Sequence, residues 1–240
     1  MIRKPKLEVC FTPHLFPLYA EDFEVVVVID VLRATSAICT AFHYGVEKII
    51  PVSTLREAKE YKNKGFYVAA ERKGKVVDGF DYGNSPLGYR NDKLMGETLV
   101  LTTTNGTKAI NIAKDIKHLL IGSFLNLNAI CKHLKELNKS VLLLGSGWQN
   151  KFCLEDSICA GAISEKLLNT NNFESFDDST IAAKYLFNSA RSNFFGYLKA
   201  SSHRKRLKKL NLNEDIKYCL TANQTDVVPY RKDYYLKKFS

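Results

Sequence analysis

Apolar residues recur along the first two thirds of the chain in short, nearly continuous runs that alternate with stretches of helical periodicity. The clearest run is Val25–Ile29, all β-branched, which suits a strand buried on both faces of a sheet. Asp30 follows at once, then Arg33, Thr35 and Ser36, then the helical pattern Ala37, Ile38, Ala41, Phe42, stopping near Gly45. Further runs predict strands at Leu7–Phe11, Val46–Val52, Phe66–Ala70, Thr98–Thr104, Leu119–Ser123 and Val141–Gly145. Between them, Thr54 and Glu57 form a capping box for a helix running to about Lys64 and closed by Gly65. Helices also follow Asn105-Gly106, span 127–137, and run from about Asp156 to Leu168. In the last of these, the small residues Ala160, Gly161 and Ala162 would let the helix lie close to a sheet.

This alternation predicts an α/β fold: a mainly parallel or mixed sheet with helices on both faces. Beyond residue 175 the pattern becomes helical, at 177–191, about 194–200, 201–210 and 213–220, with a last short strand at Val227–Arg231. We read one domain over 1–240, an α/β core of about 1–170 completed by a helical part and last strand over about 171–240. A parallel sheet would bring every polar turn to one edge, where ligands bind in open α/β folds. That edge would gather Asp30, Glu71, the Thr102–Thr107 turn, Asn126 and Glu155-Asp156.

The turns themselves suggest anion binding. Asp30, Arg33, Thr35 and Ser36 stand where a strand gives way to a helix N-terminus, whose free N–H groups attract anions. A hydroxyl that merely caps the helix would explain Thr35 or Ser36, but not an Asp and an Arg on the same turn. TTTNGTKAI puts Thr103, Thr104, Asn105, Gly106 and Thr107 at another helix start, without the spacing of a P-loop. KGKVVDGFDYGNSPLGYR, with Asp78, Asp81, Asn84 and Ser85, is too long for a hairpin turn, and its aromatics argue against disorder.

Composition narrows the class. The apolar fraction of 45% is ordinary for a globular chain. No run approaches the roughly 18 apolar residues of a membrane span, and the first residues show no signal-peptide pattern. Six scattered cysteines without a C-x-x-C pair read as reduced core residues of a cytoplasmic protein, without a zinc motif. The formal charge is +10, and Lys199–Ser240 carries eleven Lys/Arg against four Asp/Glu. Much of that excess is the run HRKRLKKL at 203–210. It lacks the aromatics of a single-strand platform, so a solvated helix face is expected there and nucleic acid is not the expected partner.

Asp30, Asp81, Glu155 and Asp156 are hard oxygen donors, read as carboxylates without His or Cys partners. Such donors suit Mg²⁺, whose shell is completed by water and phosphate oxygens. Arg33 and Arg72 bind oxyanions bidentately. The plain alternatives are helix-start acids for Glu155-Asp156 and a surface ion pair for Arg72. Taken together the groups compose a metal-assisted phosphoryl site.

In this order, IDVLRATSAICTA, AERKGKVVDGFDYGNSP, LTTTNGTKAI, GSFLN and LEDSICAGA resemble the 2-phosphosulfolactate phosphatase family. A Ser-His before a Leu-rich helix, and NEDIKYC followed by VVP, resemble its C-terminal part, so the likeness covers roughly residues 24–230. The resemblance implies a Mg²⁺-dependent, cytosolic acid phosphatase with an α/β fold of its own. It would take (2R)-2-phospho-3-sulfolactate to sulfolactate, a step towards coenzyme M in methanogens. Asp30, Arg33 and Arg72 then become catalytic candidates, the two arginines clamping a trianionic substrate. Thr35, Ser36, Asn84, Ser85, Thr103, Thr104, Asn105, Gly106, Thr107 and Asn126 become substrate-binding candidates, and Asp30, Asp81, Glu155 and Asp156 metal ligands. The chain departs from the family pattern at Ala70, where Gly is expected, and at Trp148-Gln149. Leu32 stands where a covalent-aspartate phosphatase of the haloacid dehalogenase type has a second Asp. A phosphatase of another small phospho-acid, or a non-catalytic phosphometabolite or nucleic-acid binder, are the competing readings. A homo-oligomer is left open.

Overall fold

Val25–Ile29 is strand β2 of the computed structural model, which describes residues 4–239. All five residues are buried: β2 pairs in parallel with a strand on each side, and helices cover both of its faces. In chain order the elements are β1 (Leu7–Cys10), β2, α1 (Ala34–His43), β3 (Lys48–Pro51), α2 (Leu55–Asn63), β4 (Tyr67–Arg72) and β5 (Lys75–Val76). Next come β6 (Thr98–Thr102), α3 (Gly106–Ile112), β7 (His118–Gly122), α4 (Leu127–Leu137), β8 (Val141–Gly145) and α5 (Leu154–Leu168). The C-terminal part holds α6 (Asp178–Ala190), α7 (Phe194–Tyr197), α8 (Ser202–Lys208), α9 (Asn213–Cys219), β9 (Pro229–Lys232) and β10 (Tyr235–Lys238).

The period of two along β2 divides its side chains between two cores. Val25, Val27 and Ile29 pack with Ile130 and Leu134 of α4 and Ile158 and Ile163 of α5. Val26 and Val28 pack on the other face with Ile38 and Phe42 of α1 and Ala109 and Ile110 of α3. Each such fully buried aliphatic contributes about 1.5–3 kcal/mol. A smaller core of Ile50, Ala58, Val68 and Val100 lies under α2. The capping box of α2 forms as the sequence predicts, with Glu57 N donating to Thr54 Oγ1 at 3.1 Å and Thr54 N to Glu57 Oε2 at 2.9 Å.

The sheet is mixed and mostly parallel, with strand order β1-β8-β2-β7-β9-β10-β3-β6-β4-β5. Its centre departs from expectation. The last strand is a hairpin, β9–β10, inserted between β7 and β3 with antiparallel pairing at every contact. Its second strand, YLKK, gave no apolar run to read, since only Leu236 is fully buried. The antiparallel β9–β10 pairing and its two antiparallel junctions reverse direction three times, so β3, β6 and β4 run opposite to β1, β8, β2 and β7. The polar turns therefore do not share one edge of a parallel sheet. Sheet twist, at about 20–25° per pairing, accumulates to roughly 100–125° over the five steps from β2 to β6 and swings the two sets of strand ends together. The join is tight: a Cβ on Gly106 would lie 2.4 Å from Ala34 Cβ and 2.9 Å from Asp30 Oδ2.

Gly161 also differs from expectation. A Cβ there would meet the Ala183 carbonyl oxygen at 2.0 Å, so the small residue brings α5 against α6 rather than against the sheet.

Candidate active site

Asp30 ends β2 and folds back on the start of α1. Its carbonyl accepts from Thr35 N at 2.9 Å and its Oδ1 from Ala34 N at 3.3 Å. Asp30 N donates to Thr35 Oγ1 at 3.1 Å, and Ser36 Oγ donates to Val31 O at 2.8 Å. Thr35 and Ser36 are wholly buried. They build the turn and are not offered to a substrate, and the helix N-terminus expected to hold an anion is filled by Asp30 itself. The physical reason is that the first-turn N–H groups need a partner wherever water is excluded.

Arg33 is 4% exposed. Its Nη1 donates to Asp215 Oδ1 of α9 at 2.8 Å and its Nη2 to Gly74 O at 2.9 Å. A guanidinium has five N–H donors, so these bonds leave others, but the charge is already matched by a buried carboxylate.

Asp30 and Arg33 line a cleft of about 460 Å³. Across it stand Glu71 and Arg72 from the end of β4, and Thr103, Thr104 and Asn105 after β6. Arg72 donates to Glu71 O at 2.6 Å and to Thr102 Oγ1 at 3.1 Å, and partial burial lowers its pKa. Glu71 Oε1 accepts from Gly74 N and its Oε2 faces Thr104 Oγ1 at 3.5 Å. Thr103 and Thr107 bond each other's backbone N–H, at 3.2 and 3.1 Å, so both hydroxyls already serve the turn. Asn84 also lines the cleft, and its buried Oδ1 has no hydrogen-bond partner.

Behind Asp30 lie the acids of α5. Asp156 Oδ1 accepts from Val31 N at 2.9 Å and Oδ2 from Gly147 N at 3.2 Å. Burial, then the charges of Asp30 and Glu155, push its pKa well above the carboxylate range. Asp30 is raised to about 6, mainly by burial, with Glu71 and Glu155 adding to the rise and His203 and the Ala34 N–H opposing it. Glu155 goes the other way. Burial alone would raise it, but His203 and the Cys153 thiol outweigh that and hold it below its ordinary value. His203 Nδ1 stands 2.5 Å from Glu155 Oε1.

Five expected site residues lie elsewhere. Asp81 pairs with Lys62 and accepts from Val68 N at 2.9 Å, closing the loop after β4. Ser85 lines an adjoining cavity with Asp81 and Tyr82, which shares Arg33, Gly74 and Asn84 with the cleft. Asn126 is buried, accepting from Ser123 N at 2.9 Å and donating to Ile121 O and Val227 O. Gly106 and Thr107 are buried at the join of α3 with β2. The side chains of Asp81, Thr107 and Asn126 are claimed by Lys62 or by nearby backbone groups, not by the cleft.

Conversely, the sequence reading passed over His203, Arg206 and Leu207, which line the cleft from α8. The basic run is thus only in part a solvated face. Arg206 lies over the Trp148 ring at 4.3 Å, and Arg204 is buried over Phe195 at 3.7 Å. The Ser-His step and the NEDIKYC stretch carrying Asp215 were the signals available.

A family model of 2-phosphosulpholactate phosphatase matches residues 10–234. A "Probable 2-phosphosulfolactate phosphatase" of Caldanaerobacter subterraneus is 40% identical over 212 residues, covering 87% of this chain and 88% of the relative. Proteins of the same name from Thermotoga maritima, 40% identical over 213 residues (89% and 91% covered), and Clostridium perfringens, 37% over 229 residues (93% and 92% covered), are similar throughout.

Proposed function

This chain belongs to the 2-phosphosulpholactate phosphatase family, and on that premise we propose that it hydrolyses (2R)-2-phospho-3-sulfolactate to 3-sulfolactate and phosphate. It is a phosphoric monoester hydrolase. The observation that carries the reading is the pairing of basic and acidic groups in one cleft: Arg72, Arg206 and His203 share it with Asp30 and Glu71. Guanidinium and imidazole donors suit the three acidic groups of the substrate, and carboxylates suit a dication that would bridge to phosphate.

We propose Mg²⁺ as that dication. Asp30 supplies an oxygen donor at the cleft wall, with Glu155 and Asp156 behind it, and the elevation of Asp156 by its acidic neighbours is what a bound dication would relieve. Asp81 drops out of the set, since Lys62 neutralises it. When bound, the ion would polarise the phosphoryl oxygens. The protein's own part is positional. Asp30, anchored at the start of α1, presents its carboxylate at the cleft wall. Arg72 retains N–H groups beyond the two in use and orients an oxyanion through them. Asn84, with its unpartnered carbonyl oxygen, and Asn105 flank the same space. Trp148 and Arg206 stack at the rim and limit the size of what enters.

We assign the reaction to the cytoplasm and to a route of the coenzyme M type. All six cysteines are free and buried, which supports a reducing compartment. Among the described residues no helix is long and apolar enough to cross a membrane. The test is phosphate release from phosphosulfolactate and from other small phospho-acids, with Mg²⁺ and after EDTA. Preferred turnover of phosphosulfolactate that stops on chelation is the expected result. Full turnover by stripped protein would overturn the role of Mg²⁺, and release only from other phospho-acids would overturn the substrate.

A further inference from the structure

Three metal-ligand side chains from two distant stretches meet behind the cleft wall. Cys153 immediately precedes α5, Glu155 lies in its first turn, and His203 lies in the first turn of α8. One ligand atom of each lies within 4.8 Å of the other two, and no other Cys, His, Asp or Glu group among the described residues meets that condition. Cys153 is 6% and Glu155 1% exposed. His203 Nδ1 and Glu155 Oε1 stand 2.5 Å apart, and neither Glu155 oxygen has a hydrogen bond of good geometry. A carboxylate buried this deeply without a directed partner is costly unless a cation joins it.

We infer that Cys153, Glu155 and His203 form a site for one divalent transition-metal ion of the zinc class. The donor set decides the class. Thiolate and imidazole favour zinc-like ions, whereas Mg²⁺ takes oxygen. With zinc bonds of about 2.0–2.3 Å, tetrahedral ligand atoms stand roughly 3.3–3.7 Å apart, inside the 4.8 Å limit that the three atoms meet. Three protein ligands leave a fourth position open. A cavity of about 260 Å³ reaches the cluster past Phe152, Ser201 and Ser202, so an ion has a way in. Bound there, it would pin α8 to α5 and with it the cleft-lining Arg206 and Leu207. The chain separation of His203 from the other two hides the site from any spacing motif.

This inference stands apart from the phosphatase reading. Glu155 enters both donor sets, so the readout must not be turnover. Chelator-treated full-length protein is titrated with Co²⁺, and the thiolate-to-cobalt charge-transfer absorption is followed. One equivalent should produce the band, Zn²⁺ should abolish it by displacement, and Zn²⁺ should raise the melting temperature. Cys153→Ser should lose the band, and His203→Ala should weaken Co²⁺ binding at least tenfold. A folded wild-type protein without the band, or a band that persists in Cys153→Ser, overturns the site. Mg²⁺-dependent turnover in a protein lacking the band would reject the site while leaving the phosphatase reading intact. A band in a protein with no phosphatase activity would do the reverse.

Discussion

The two parallel blocks of the sheet treat charge in opposite ways. At the strand ends of the β1–β8–β2–β7 block, Asp30, Glu155 and Asp156 are crowded together and buried, with backbone N–H groups as partners for two of them. Their strain shows in the elevation of Asp30 and Asp156. At the ends of the β3–β6–β4 block, each polar group is matched by a neighbour: Glu71 by Gly74 N, Arg72 by Glu71 O and Thr102, Thr103 by Thr107. One block is an acid store that calls for a cation. The other is a wall of paired groups in which Arg72 keeps N–H donors to spare. The C-terminal helices serve the first block, supplying Asp215 to Arg33 and His203 to Glu155.

The largest effect is expected where that service is removed. Asp215→Ala strands the buried Arg33 guanidinium, and losing one partner of a buried pair costs about 3–5 kcal/mol. Denaturant unfolding should show this as a lower midpoint at unchanged slope. Stability within about 0.5 kcal/mol of wild type would mean that Arg33 does not depend on the C-terminal helices.

Next in size is Asp30→Asn, which keeps shape but removes the cleft-facing charge. Turnover at saturating Mg²⁺ should fall by about 10²-fold or more, with the melting temperature held or raised, since a strained buried charge has been neutralised. A lowered melting temperature with near-normal turnover per folded molecule would make Asp30 structural, and the contrast between the blocks would lose its functional meaning.

On the opposite wall, Arg72→Lys retains charge but not the planar fork. A loss of about 1.5–3 kcal/mol in kcat/KM is expected, the range of a charged hydrogen bond. Wild-type kinetics would show that this wall does not grip substrate. The smallest effect belongs to the well-matched block away from the buried charges of the site. Thr54→Ala removes the α2 capping box and should cost about 1 kcal/mol of stability, measured by thermal melting.

Some of this was written plainly along the chain. The β2 run, the Thr54–Glu57 box and the βα alternation are local patterns, and local patterns act over a few residues whatever surrounds them. Asp30 and Arg72 could be singled out because each directly follows or closes a buried strand. Asp81 and Asn126 looked equally eligible and were not, because Lys62 and the Val227 carbonyl reach them from positions no local pattern connects. His203 was overlooked for the complementary reason. In sequence it belongs to a basic run, and only the packing of α8 on α5 turns it towards Glu155.

By itself, then, the sequence determined the elements, the apolar faces and the family likeness, because periodicity, capping chemistry and residue type are properties of adjacent positions. Tertiary structure alone decided the insertion of β9–β10 into the middle of the sheet, the opposed direction of its two blocks, and which polar groups face the cleft. Those depend on long-range pairing and accumulated twist, and on which buried donor or acceptor finds a partner first. None of these is encoded in the spacing of neighbours along the chain.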